Sequence, residues 1–290
     1  MTNSTGISFP ILTSEPKEEG ALKPQLDKLA EVIEQRTMMQ FGTERRTHFV
    51  NTITTRAQTI GADLNNYLNR LGTPAGESEM ALLIDALTIN ETTFFRNVPQ
   101  LDLFARMALP EVIAQRQASG GSKQIEVWSA ACSTGQEVYT LAMLADEFLM
   151  TRGGWQVQVR GTDISPTVIE AARRGIYPKA RLDTIPPHYL MRYFEDRGDR
   201  LVIRDAVRRM TSFQVHNLKE MFPPCQFDII FCRNVMIYFS RDEQARLARK
   251  FYERLTPGGF LFIGHSESLQ GLGSNFKLRI QDRGVAYQKE

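Results

Sequence analysis

The strongest chemical signals in the chain are a run of small residues, Ser129-Ala130-Ala131-Cys132-Ser133-Thr134-Gly135, and an acid, Asp163, each standing where an apolar stretch ends. Small side chains let backbone N–H groups and a helix N-terminus approach a ligand closely. A carboxylate at the end of the next strand can accept both hydroxyl hydrogens of a ribose. A dinucleotide site wants G-x-G-x-x-G with its acid about 20 residues further on, and a phosphate-gripping loop wants G-x-x-x-x-G-K-[ST]. The run has one glycine, and neither pattern is present. Two readings stand on these residues alone: a site for a nucleoside without phosphate, such as S-adenosylmethionine, or a tight strand–helix turn that binds nothing.

Other reactive side chains point nowhere else. Cys132, Cys225 and Cys232 lack CxxC spacing, and their odd number argues against a disulfide framework. Nothing near Cys132 lowers its thiol pKa, so packing is its expected role. His48, His188, His216 and His265 have no metal-ligand spacing, and no metal is expected. No Ser–His–Asp or Cys–His arrangement is visible.

The elements that must position these residues follow from periodicity. Leu22 to Leu87 has apolar residues at helical spacing, among them Leu26, Leu29, Ile33, Phe49, Ile53, Leu64 and Tyr67. A further helix is expected over Pro99–Gln117, ended by Ser119-Gly120-Gly121-Ser122. Beyond it, strands at 125–128 and 157–162 alternate with helices at 136–150 and 166–174. The alternation resumes with a strand at 227–232, a helix from 241 to 255 stopped by Pro257-Gly258-Gly259, a strand at 260–263 and a closing hairpin at 280–287. This is the pattern of a parallel sheet covered on both faces. Between the halves, 198–204 and 208–215 read as short strands with no helix between them, a small antiparallel insert running into a core strand.

The expected fold is α/β: a Rossmann-like domain with a small antiparallel β insert, preceded by a small all-helical domain. The expected boundaries are a flexible tail at 1–20, the helical domain at 21–88, a linker and helix at 89–120, and the catalytic domain at 121–290 with its insert at about 197–213. The formal net charge of +2, from 35 basic and 33 acidic side chains among 290 residues, is far from the basic excess of a nucleic-acid binder. No secretory signal pattern and no apolar run of about 20 residues is present. A cytoplasmic protein is expected.

Four segments then narrow the function: Asn90-Glu91-Thr92-Thr93-Phe94-Phe95-Arg96, Trp128 to Glu137, Asn217-Leu218, and Phe231-Cys232-Arg233-Asn234-Val235-Met236-Ile237-Tyr238-Phe239. Together, across residues 22–288, they resemble the CheR family of chemoreceptor glutamate O-methyltransferases. The resemblance implies S-adenosylmethionine as cofactor, with Asn90, Thr92 and Arg96 closing over it and Glu137 and Asp163 holding its methionine and ribose ends. It implies that Asn217, Leu218, Arg233 and Asn234 complete the pocket. Arg96 and Tyr238 are the expected catalytic residues, Tyr238 orienting the incoming carboxylate and Arg96 steering it. Where the family usually has Gly-Glu-Glu-Pro-Tyr, this chain has Gly135-Gln136-Glu137-Val138-Tyr139, with Glu137 retained.

The reaction implied by the resemblance joins a methyl group to a glutamate carboxylate of a receptor's cytoplasmic methylation helix, leaving S-adenosylhomocysteine. That nucleophile is already ionised at neutral pH, so no general base is needed. Arg45, Arg46 and Arg56 are candidates for a basic face that guides the acidic substrate. Some family members dock a receptor's tail peptide on the insert; the short Arg197-Gly198-Asp199-Arg200 stretch implies independence from such a tether. A monomer without nucleic-acid or membrane-inserting partners is expected. The rivals are a nucleic-acid or small-molecule methyltransferase, disfavoured because the fourth strand leads into Asn234-Val235-Met236-Ile237 rather than Pro-Pro-aromatic, and a non-enzymatic S-adenosylmethionine sensor.

Overall fold

The computed structural model describes residues 16–182, 184–220, 225–273 and 275–290. Helices α1 (Pro16–Thr37), α2 (Thr43–Thr59), α3 (Leu64–Leu71) and α4 (Glu77–Leu87) open the chain. Residues 16–20 belong to α1 rather than to the expected tail, whose residues 1–15 lie outside the described residues. Two compact units result. One takes the chain up to Gln35 and from Phe41 to Leu83, the other Arg36–Gln40 and Ile84–Glu290.

In the smaller unit the apolar positions with helical spacing turn inward: Leu26, Ile33, Phe49, Ile53 and Tyr67 are fully buried. The unit also buries Glu79, whose carboxylate accepts from Nε and Nη2 of Arg56 at 2.9 and 2.8 Å and from the Tyr67 hydroxyl at 2.9 Å. A buried carboxylate needs such a charge-assisted, bidentate partner. Arg56 is therefore committed inside the helical unit and is not part of a free basic face. Arg46 pairs with Asp27 at 2.6 Å, and Arg45 lies over the ring of Phe41. Of the three candidate steering cations, Arg56 is thus spent on Glu79, whereas Arg45 and Arg46 remain partly exposed.

After the end of α4, the larger unit contains α5 (Val98–Leu103) and α6 (Leu109–Ala118), joined by a wide π turn at Phe104–Ala108. The widening has a cause in Pro110, which has no N–H for the regular helical bond and whose ring crowds the preceding turn. The chain continues through β1 (Gln124–Ala130), α7 (Gln136–Leu149), β2 (Gln156–Asp163), α8 (Pro166–Arg174), β3 (Ile176–Pro178), α9 (Pro187–Tyr193), β4 (Phe194–Arg197), β5 (Arg200–Ile203), α10 (Asp205–Arg208), β6 (Thr211–Val215), β7 (Phe227–Cys232), α11 (Arg241–Arg254), β8 (Leu255–Ile263), β9 (Phe276–Gln281) and β10 (Gly284–Lys289). Seven strands form one sheet in the order β6-β2-β1-β7-β8-β10-β9. The first five of these are parallel; β10 is antiparallel to β8 and β9. Every residue of β7 is buried, as suits a strand covered on both faces.

Three local expectations change. The antiparallel insert is a separate sheet of order β3-β5-β4, so it starts at Ile176 rather than near 197. A three-residue strand such as β3 carries no periodic signal. Thr211–Val215 is the expected core strand into which the insert leads, so the insert ends before 211: β6 runs parallel to β2, with Val159 opposite Thr211, and α10 intervenes where no helix is expected. Pro257-Gly258-Gly259 falls inside β8, where the register with β7 slips between Phe227 and Ile229 and Gly258 takes φ 74°. This bulge favours glycine, since L side chains rarely adopt a φ of 74°. The expected closing hairpin forms, turning through Asp282 and Arg283 with φ of 45° and 70°. No helix among the described residues is long and apolar enough to cross a membrane.

Candidate active site

Because β1, β2, β6 and β7 are parallel neighbours, the loops that follow them open at one edge of the sheet, where ligands bind in open α/β folds. The loop after β1 makes the sharpest turn: Ala131, Ser133 and Gly135 all have positive φ, at 62°, 50° and 92°. A Cβ on Gly135 would stand 2.8 Å from that of Ala172, so close packing against α8 requires the glycine. Of the eight non-glycine residues with positive φ among those described, Phe95, Asn97, Ala131, Ser133 and Asn234 lie in just three segments, each carrying expected site residues. Such conformations persist only where the surroundings over-determine them, and they concentrate at functional sites.

Asp163, at the end of β2, is 6% exposed. Its carboxylate accepts the backbone N–H of Ser133 at 2.9 Å and of Ser165 at 3.1 Å. Burial raises its pKa above the ordinary carboxylate value, against the pull of these N–H bonds. The main chain of Asp163 accepts His216 N at 2.8 Å, which sets Asn217 and the buried Leu218 beside it. The Asn217 amide donates to Arg36 O at 2.7 Å and accepts Lys219 N at 3.0 Å.

Glu137, in the first turn of α7, accepts Ser129 Oγ and Arg233 Nε, both at 2.7 Å. Arg233 is 4% exposed at its side chain. Its Nη1 donates to Arg96 O at 2.9 Å and to Gln100 Oε1 at 3.2 Å, while Gln100 Nε2 donates to Ile263 O at 2.7 Å. Thus the loop after β7 holds the acid after β1 and the linker before α5 at once. Arg96 itself donates from Nη1 to Glu91 O at 3.3 Å. Asn234 follows Arg233 with φ 60°, and Tyr238 closes a single 3-10 turn, Met236–Tyr238, its carbonyl accepting Gln40 N at 2.9 Å.

The linker is fixed to the same edge: Ser133 Oγ donates to Asn90 O at 2.9 Å, and Phe95 N donates to Thr140 Oγ1 at 3.3 Å. Thr92 is not joined to Asp163 or Glu137. With Asn90 it lines a cleft shared with Thr134, Gln136, Tyr177 and Thr184. Gln136 accepts the Thr134 hydroxyl at 2.8 Å, and Val138 is buried beside Gly161. Ser129, Gln100 and Glu267 complete the hydrogen bonding. Ser129 lay within the small-residue run, whereas Gln100 and Glu267 had no local signal. Burial drives the Cys132 thiol well above its ordinary pKa, in keeping with packing rather than nucleophilic work.

The acceptor set fits a nucleoside bearing an ammonium. Each ionised carboxylate offers about four acceptor positions, of which the chain takes up to three at Asp163, from Ser133, Ser165 and Ile164, and two at Glu137. The remaining positions suit ribose hydroxyls and an amino group, and the small loop leaves room for close approach. Among the described residues no group of three or more His, Cys, Asp or Glu is placed to hold a metal ion.

Fold and site together define an S-adenosylmethionine-dependent methyltransferase. Residues 90–285 match the family model described as CheR methyltransferase, SAM binding domain. The chain is 38% identical over 263 residues to the chemotaxis protein methyltransferase of Escherichia coli (strain K12), covering 88% of this chain and 87% of that one. It is 37% identical over 263 residues to the Salmonella typhimurium chemotaxis protein methyltransferase, with 88% and 87% covered. To that of Borreliella burgdorferi it is 36% identical over 213 residues, with 72% and 75% covered. The chain belongs to the CheR methyltransferase family.

Proposed function

We propose that this protein methylates glutamate side-chain carboxylates on the cytoplasmic helices of chemoreceptors, as part of chemosensory adaptation. The observation that carries the reading is Arg96. Among the described residues its guanidinium has one bond, to Glu91 O, while its own carbonyl is pinned by Arg233. A cation held in place by its backbone, with N–H groups left over, suits an approaching carboxylate.

In this reading Asp163 and Glu137 hold the ribose and methionine ends of the cofactor, and Asn90, Thr92, Asn217, Leu218 and Asn234 complete the pocket. Arg233 acts through Glu137, fixing its carboxylate. Bound S-adenosylmethionine supplies a methyl group on a sulfonium. The acceptor is ionised at neutral pH, so the chain's contribution is alignment and exclusion of water. Tyr238 donates from its hydroxyl to the acceptor carboxylate and orients it; Arg96 draws the anion in.

We further read the enzyme as a cytoplasmic monomer acting on protein rather than nucleic acid, and as independent of a receptor tail peptide. A tethering peptide adds a strand to an exposed sheet edge, and here β4 and β5 are four residues each, joined only by Gly198-Asp199. The decisive experiment is incubation with methyl-labelled cofactor and membranes from a chemotactic cell. Base-labile methyl on receptor glutamates is expected; unlabelled receptor in the presence of active enzyme would remove the reading.

A further inference from the structure

The turn after β7 is short. Asn234 has a positive φ of 60°, and the single 3-10 turn that follows is closed by Tyr238 N→Val235 O and Phe239 N→Met236 O, at 3.1 and 3.0 Å. Turns of this kind are weak unless something outside satisfies their free ends. Here one carboxylate does so. Glu267 Oε2 accepts Gly264 N at 2.5 Å and Asn234 N at 3.1 Å, and its Oε1 accepts Ile237 N at 3.2 Å. The fit is tight: a Cβ on Gly264 would stand 2.6 Å from Glu267 Oε2 and 2.9 Å from Asn234 N. At the other end, Gln244 of α11 donates to Met236 O and Phe239 O at 2.9 and 3.1 Å.

We propose that Glu267 is a positioning residue for methyl transfer, its carboxylate tying the turn after β7 to the turn after β8 and so setting the place of the Tyr238 hydroxyl. The inference rests on the reading of Tyr238 as the group that orients the acceptor. Three converging N–H groups form a nest for an anion, and a carboxylate can serve all three while carrying charge-assisted bonds. An amide of the same shape has one acceptor oxygen and would turn a donor toward a donor.

The test is a double-mutant cycle on full-length protein with receptor membranes as substrate. Glu267→Gln is expected to lower kcat on the order of 10- to 100-fold, as sub-ångström to 1 Å misplacement does. Its thermal unfolding should stay cooperative and within a few degrees of the parent. In a Tyr238→Phe background the same change is expected to cost less than about threefold, because the hydroxyl it positions is gone. Equal losses in both backgrounds, or unchanged kcat in folded Glu267→Gln, would overturn the proposal while leaving the tyrosine's role intact. Full activity of Tyr238→Phe alone would instead remove the tyrosine's role, and the proposal with it. If Glu267→Gln does not fold, Glu267→Asp takes its place in the cycle: it keeps the charge, cannot span all three amides, and is held to the same outcomes.

Discussion

Arg233 donates through Nε to Glu137 across 2.7 Å although 96 residues separate them in the chain. The pair joins the two loops that flank the centre of the sheet, and the arginine's second nitrogen reaches the linker at Arg96 O. A single buried guanidinium therefore couples the acid assigned to the cofactor with the segment assigned to the acceptor.

That coupling predicts non-additivity. Glu137→Gln and Arg233→Lys should each weaken S-adenosylmethionine binding by roughly tenfold or more, since lysine cannot reproduce the planar fork. The double variant should bind about as weakly as the worse single one. Calorimetric titration of the three proteins checks this, and additive losses would show that the two residues act separately.

Asp163 should matter for binding more than for folding. Its replacement by Asn keeps the size but removes one acceptor oxygen. Loss of charge-assisted bonds worth about 1.5–3 kcal/mol corresponds to an affinity drop of roughly 10- to 150-fold. The measurement is the dissociation constant of the cofactor, beside a urea midpoint to show that the protein is intact.

A buried acid remote from the site gives the opposite expectation. Asp228, 2% exposed near the start of β7, accepts Arg116 Nε and Nη2, Glu126 N and Thr256 Oγ1. Arg116→Met strands this carboxylate and should cost about 3–5 kcal/mol of stability. The kcat of the folded enzyme should not change; a large fall in kcat would mean that Asp228 reaches the site.

Acid sensitivity has a specific contributor in His216, which is 9% exposed and whose burial lowers its pKa below the ordinary 6.5. The unfolded chain binds its proton first, so this residue's contribution is complete above about pH 6.5 and is lost as pH falls toward the lower folded value. His216→Gln should flatten the decline in urea midpoint between pH 7.5 and 5.5. The raised pKa of Asp163 acts in the reverse sense, favouring the fold as that acid protonates and losing this contribution as pH rises through the folded value. An unchanged decline in the variant would exonerate the histidine.

Tail-peptide independence is also measurable. Titrating the enzyme with a receptor C-terminal peptide should give no submicromolar binding, because β4 and β5 are short and end in the two-residue turn Gly198-Asp199. Tight binding would reassign the insert as a docking edge.

The alternation of apolar strands and amphipathic helices determined the α/β sheet, because burial on both faces imposes a period that survives in the residue order. It also placed Asp163 at a strand end and the small residues of 129–135 before a helix, since both lie within a few residues of the elements they terminate. The sequence did not determine which charges meet. Arg56 looked like a surface cation until α4 brought Glu79 against it, and Gln100 and Glu267 looked unremarkable until the parallel register set loops after β7 and β8 side by side. The short β3 and the bulge in β8 escaped for the same reason: their partners, β5 and β7, are set by tertiary pairing and not by neighbours in the chain. Periodicity is a local property of a chain, whereas a hydrogen bond between two loops exists only after the strands beneath them have paired.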